Sequence, residues 1–230
     1  MIDIAGNWQR IRSRVAHAAQ RAGREPQSVR IIAVSKTQPV ELIQQAIAAG
    51  ATEIGENYVQ EAAEKIARCP LPAHWHLIGH LQRNKAARAV ELFEMIQTVD
   101  SVALADALTR QAERRGRSVR VLIEVNIGGE TTKHGADPAQ LQSLLVSLRD
   151  RDALLIDGLM TIPPPGPTPE SVRHHFRALR ELRDRVQAVA PPNAPLQELS
   201  MGMTDDFEVA IEEGATMVRI GRGIFGERET

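Results

Sequence analysis

Short runs of β-branched and aliphatic residues alternate along this chain with longer stretches in which apolar positions recur every three to four residues. A run such as RIIAVS at 30–35 is apolar on both faces, as a strand is when helices cover one side and other strands' side chains fill the other. Strands are expected near Arg30–Ser35, Glu53–Gly55, His74–Ile78, Met95–Val99, Val119–Asn126, Leu154–Met160, Leu196–Ser200 and Met217–Ile220. Helical periodicity precedes them at Asp3–Ala22 and separates them at Val40–Ala49, Tyr58–Ala67, Asn84–Leu92, Val102–Arg115, Pro138–Arg149, Glu170–Ala188 and Asp205–Glu213. Eight parallel βα units in 230 residues predict an α/β fold, a single closed (β/α)8 TIM barrel with an extra N-terminal helix. Closure removes both sheet edges and buries each strand on two sides, whereas the alternative, an open doubly wound sheet, shares most local features. No polar linker, charge block or low-complexity segment interrupts the alternation, so one domain over 1–230 is expected.

Composition narrows the partners. Lys plus Arg (28) nearly balances Asp plus Glu (29), so no broad field exists to attract nucleic acid or an anionic bilayer, and a small-molecule ligand is the better expectation. Cys69 is the only cysteine, no run approaches the ~20 apolar residues of a membrane helix, and the opening MIDIAGNWQR lacks a secretory apolar stretch. A cytoplasmic protein is expected. Only four of the 28 basic residues are lysines: Lys36, Lys65, Lys85 and Lys133. A lysine can lose its proton and become a nucleophile, which an arginine cannot. Lys65, in the helical run EAAEKIA, is read as a solvated surface charge.

In such a barrel the chemistry gathers at the carboxyl ends of the strands. The first strand presents Lys36 there, just before Pro39; a dry mouth would favour its neutral, nucleophilic form, and the plain alternative is a rim lysine reaching water. In MVRIG at 217–221, alternation directs Arg219 into the barrel, where a guanidinium needs either a ligand or a salt bridge to Glu124 or Glu198. The same parity directs Glu124 and Asn126 inward. Glycine-bearing segments follow strands seven and eight, Ser200–Met203 and Gly221–Gly226, where barrels of this type build phosphate sites from backbone amides. Each alone would more simply mark a turn. Amine, inward arginine and phosphate cradle together describe an aldehyde phosphate such as pyridoxal 5′-phosphate (PLP). The proline-rich PPPGPTP at 163–169 makes a rigid loop after the sixth strand.

The segments AVSKTQP (33–39), IGENYVQE (54–61), HWHLIGHLQRNK (74–85), GLMTI (158–162) and LSMGMTDDFEVAIEEGATMVRIGRGIFG (199–226) closely resemble the pyridoxal phosphate homeostasis proteins, the YggS-type family, over essentially the whole chain. The resemblance implies a barrel like the N-terminal domain of alanine racemase without its C-terminal β domain, and PLP held as a Schiff base on Lys36. It further implies Asn57 near the ring, Arg219 beside the pyridine nitrogen, and Ser200, Gly202, Gly221 and Arg222 around the phosphate, Arg222 chiefly through its backbone. His80 stands where a proline is frequent in the family, and Arg222 with Gly223 where small residues are.

The implied role is a carrier or reservoir in vitamin B6 homeostasis and not an enzyme. An arginine at the pyridine nitrogen weakens the ring as an electron sink. Alanine racemase takes its second acid–base group, a tyrosine, from the partner subunit's second domain, whereas the only tyrosine here is Tyr58. The alternatives are a racemase-like PLP enzyme of low activity and a Schiff-base aldolase acting on a sugar phosphate. Apo PLP-dependent enzymes are the expected transient partners of a monomer. No metal is expected: His74 and His76 share a strand face but lack a third donor, and packing explains them better. Lys85 and Lys133 occupy rim loops and could take up PLP secondarily or simply face solvent.

Overall fold

The structure, a computed structural model, describes residues 2–130 and 133–227. Eight parallel strands close into a barrel in chain order: β1 (Arg30–Val34), β2 (Glu53–Glu56), β3 (His74–Leu77), β4 (Met95–Val99), β5 (Val119–Glu124), β6 (Leu154–Met160), β7 (Glu198–Met203) and β8 (Met217–Ile220). β8 returns to pair with β1, with Ile32 opposite Arg219 and Ala33 opposite Ile220, so the two ends of the chain meet at one seam. Around the barrel run α1 (Ile4–Arg21), α2 (Val40–Ala48), α3 (Val59–Arg68), α4 (Ala86–Leu92), α5 (Val102–Glu113), α6 (Leu141–Ser147), α7 (Arg173–Gln187), α8 (Phe207–Glu212) and the short α9 (Arg222–Phe225). None of the described helices is long and apolar enough to cross a membrane.

Two apolar layers account for the architecture. The larger lies between strands and helices, where Val121, Ile123, Leu159, Val218 and Ile220 meet Phe176, Leu179 and Phe207. Inside the barrel Ile32, Met95, Leu122, Met160 and Met217 form a separate plug. Each plug residue alternates with outward neighbours, as the pleat requires. Two residues beyond the plug, Glu124 on β5 and Arg219 on β8 therefore point inward as well, and both are buried.

Boundaries agree with the sequence at β4, β6 and β8 and depart from it at β7. The strand expected at Leu196–Ser200 lies at Glu198–Met203, so Met201–Met203, expected as loop, continue the sheet. The register between β7 and β8 shifts between Ser200 and Met203, and Gly202 there has φ +91°. A Cβ on Gly202 would sit 2.6 Å from Ala210 Cβ and 2.9 Å from Phe207 Cα, so only glycine lets this bulge lie against α8.

α1 begins at Asp3, whose carboxylate accepts the Gly6 amide proton at 2.8 Å. It buries Trp8, Ile11, Val15, Ala18 and Ala19. Arg14 bonds Glu208 and Arg21 bonds Glu212 on α8, and Asn7 Nδ2 donates to the Ile224 carbonyl at 2.8 Å. The first helix thus braces the last one, which follows directly on β8.

Candidate functional site

β1–β8 pairing places the ends of those two strands side by side. A cavity of about 370 Å3 opens there, lined by Val34, Lys36, Gln38, Gly221, Arg222, Gly226 and Glu227. Lys36 is half-buried, two residues past the end of β1.

The backbone on either side of Lys36 is fixed from outside the barrel. The Ser35 amide donates to the Gly55 carbonyl at 2.9 Å, and Ser35 Oγ donates to Glu56 Oε1 at 2.5 Å. Lys65 Nζ donates to the Ser35 carbonyl, the oxygen of the peptide that links residues 35 and 36, at 2.6 Å. The same ammonium reaches Glu56 Oε1 and Glu61 Oε1, each at 2.7 Å. Glu61 Oε1 in turn accepts the Thr37 amide at 2.5 Å, and Thr37 holds φ +65°. Lys65 is only 8% exposed, which corrects the expectation of a solvated surface charge. Its spacing gave a signal: α3 buries Val59, Ala62 and Lys65, three positions on one helical face. Burial raises the Glu56 carboxyl above its usual range, against the opposing pull of Lys65 and Ser35.

Arg219 is 3% exposed inside the barrel. Its Nη1 donates to Ser200 Oγ at 2.7 Å and its Nη2 to the Thr161 carbonyl at 2.8 Å. From Ser200 a chain of hydrogen bonds continues through the barrel. Ser200 Oγ donates to Gln97 Oε1 at 2.6 Å, Gln97 Nε2 bonds His76 Nδ1 at 3.1 Å, and His76 Nε2 meets Glu53 Oε2 at 2.6 Å. With Gln97 donating, the His76 proton sits on Nε2. The salt bridges weighed for Arg219 are not what holds it: Glu198 pairs with Arg30 at 2.6 Å, and Glu124 acts on Arg219 only through its field. Burial lowers Arg219 to about 10, leaving it a cation at neutral pH. Burial, and then the Asp100 charge, raise Glu124 to about 7 against the pull of Arg219, and Glu124 Oε2 has no hydrogen-bond partner among the described residues.

The remaining expected residues fall in different places. Gly221 and Arg222 share the Lys36 cavity. A Cβ on Gly221 would meet Val34 O only at 3.5 Å, so packing does not demand glycine there. The Arg222 side chain is engaged by Asp205 at 2.5 Å and Glu227 at 3.1 Å, which leaves its backbone to face the cavity. The Ser200 hydroxyl belongs to the interior chain, and Gly202 lies against α8. Asn57 is half-buried beyond β2, with Gly79 packed so closely that a Cβ there would lie 2.3 Å from the Asn57 carbonyl. Thr204, which sequence reasoning missed, accepts the Gly223 amide at 3.3 Å and so supports the start of α9.

Lys85 is exposed, and Lys133 pairs with Glu130 at 2.5 Å while lining a hollow of about 430 Å3 under the 163–169 loop. His74 and His76 do not form a pair: His76 is sealed inside the barrel, and His74 faces Glu94 at 3.5 Å on the surface. Tyr58 is 62% exposed.

The sequence pattern of the family described as "Alanine racemase, N-terminal domain" matches residues 6–229. The pyridoxal phosphate homeostasis protein of Pasteurella multocida is 42% identical over 229 residues, covering 98% of each chain. Among solved structures, PipY of Synechococcus elongatus with PLP bound aligns at TM-score 0.82 and 42% identity, covering 92% of this chain and all of that one. An unknown protein from Bifidobacterium adolescentis aligns at TM-score 0.90 and 39% identity, over 98% and 97% of the two chains.

Proposed function

Since the chain belongs to the alanine racemase N-terminal domain family and, within it, to the pyridoxal phosphate homeostasis proteins, we propose that it holds PLP at the barrel mouth and serves vitamin B6 homeostasis as a carrier or reservoir. The observation that carries the site assignment is one cavity lined by both Lys36 and the Gly221–Arg222 segment, with Arg219 on the strand between plug and cavity.

The residues fit the group. When bound, PLP would supply an aldehyde to a primary amine, with C=N replacing C=O and one water released. Lys36 is the amine in reach of the cavity, held by the Ser35 and Thr37 anchors so that its stem rises from a fixed point. Arg219 has five N–H donors, and among the described residues Ser200 and Thr161 are its hydrogen-bond acceptors, so a further N–H would be left for a ring nitrogen. A buried permanent cation disfavours a proton on that nitrogen, which holds the ring's electron-withdrawing power low. The start of the Gly221–Gly226 segment, where Gly221 and Arg222 line the cavity and Thr204 and α1 brace the turn that follows, would take an anionic phosphate. Asn57, just beyond the end of β2, is the residue that the family resemblance would set near the ring.

The same geometry speaks for holding over catalysis. Two-base racemisation needs a second proton donor across the cofactor from Lys36, and Tyr58, the only tyrosine, stands largely in solvent. Apo PLP-dependent enzymes are the recipients such a carrier would serve.

The test is an absorbance spectrum of PLP-loaded protein before and after borohydride reduction, followed by peptide mapping. The reduced adduct is expected on Lys36, and Lys36→Ala should lose the violet band. An adduct elsewhere overturns the assignment. Turnover of an amino acid at roughly 1 s−1 or faster would make the protein an enzyme.

A further inference from the structure

Three loops on the carboxyl rim bring together two imidazoles and a carboxylate that the proposed cofactor role does not use. His80 follows β3, Asp100 follows β4 and His134 lies between β5 and α6. Their ligand atoms all lie within 4.8 Å of one another, with His80 Nδ1 3.9 Å from Asp100 Oδ2. The His80 and His134 rings stack with centroids 3.7 Å apart and planes 11° from parallel. We propose that His80, Asp100 and His134 together bind a zinc-class divalent ion.

The donor set decides the class of ion. Two imidazole nitrogens and one carboxylate oxygen suit zinc, cobalt or nickel, whereas calcium and magnesium favour oxygen ligands. Three protein ligands with a fourth position left to water is a common arrangement for zinc. Tetrahedral bonds of 2.0–2.1 Å place ligand atoms about 3.3 Å apart, so the 3.9 Å His80–Asp100 separation needs only about half an ångström of closure. Both histidines are exposed and free to turn about their side-chain bonds, while Asp100, half-buried, provides the fixed corner. Among the described residues, no hydrogen bond of the fold engages any of the three side chains, so the contacts an ion would rearrange are their own, the ring stack and the His80–Asp100 pair. Binding would tie three loops beside the barrel mouth to one another.

Full-length protein without a histidine tag is titrated with zinc chloride in a calorimeter, with magnesium chloride as the contrast. One zinc ion per chain is expected. His80→Ala, Asp100→Asn and His134→Ala should each weaken binding at least about tenfold. His74→Ala, at the surface pair with Glu94, should leave it unchanged. No saturable binding up to about 1 mM zinc, which is weaker than about −4 kcal/mol, overturns the proposal. So does binding that all three variants retain. Should a variant fail to fold, the cobalt(II) spectrum of wild type decides: strong visible bands of a four-coordinate ion support the site, and only the pale spectrum of the hydrated ion refutes it.

Discussion

Replacing Lys65 by Met removes an ammonium that three oxygens share: the Ser35 carbonyl, Glu56 Oε1 and Glu61 Oε1. Glu56 is 0% exposed, and among the described residues its Oε2 already lacks a partner and without Lys65 its charge has only the Ser35 hydroxyl. Removing one member of a buried ion pair costs about 3–5 kcal/mol, because the other charge is left uncompensated. Domains of this kind are stable by about 5–15 kcal/mol, so Lys65→Met should remain folded with much of its margin gone. Lys65→Met with Glu56→Gln removes both charges, and most of the loss should return, less about 1–3 kcal/mol for the Ser35 carbonyl left without a donor. Urea denaturation of the PLP-free wild type, both single variants and the double variant measures these terms as a cycle. If Lys65→Met loses less than about 1 kcal/mol, the clamp on Lys36 is a surface ion pair in energetic terms and the reasoning fails. A functional arm accompanies it: PLP affinity should fall at least about tenfold in Lys65→Met at a temperature where circular dichroism shows native helix content, since the anchor of residue 36 is displaced.

The pH response should centre on Glu124. Moving a carboxyl from its usual 4.5 to about 7 leaves a penalty of roughly 3 kcal/mol on its charged form, so the wild type loses that stability as pH rises from 4.5 through 7. Glu124→Gln should therefore be more stable than wild type by about 3 kcal/mol at pH 8 and no more stable at pH 4.5, measured by urea denaturation; a pH-independent difference refutes the assignment. Gly202→Ala should destabilise by about 1–3 kcal/mol, through the 2.6 Å approach to Ala210 and the positive φ, while Gly221→Ala should unfold in urea like wild type. A Gly202→Ala protein as stable as wild type would mean the bulge is not where β7 must turn.

Most of the scaffold was legible because alternating apolar runs and helical stripes are local signals. Arg219 could be aimed into the barrel by parity alone, and the structure bears that out. β7 could not be bounded, since the residues that end it are set by how Gly202 meets α8, a contact between elements. Lys65 was misjudged for a related reason: the helical stripe that contains it is visible, but the acceptors that make its burial tolerable sit on β2 and beyond β1. Arg222 was legible as a position and not as a side chain, because Asp205 and Glu227 claim the guanidinium only once the rim is assembled. The His80–Asp100–His134 group draws on three loops, and no spacing rule along the chain could have joined them.

The junction of β1 with β8 has a consequence for biogenesis. The amine comes from near the start of the chain and the glycine-rich segment from near its end, so neither half of a partly synthesised or frayed polypeptide possesses the pocket. A ligand that recognises both adds its binding free energy to the closed ring alone and none to an open one. Vitamin loading would then report that the circle has been completed, and release would be fastest wherever that one joint loosens.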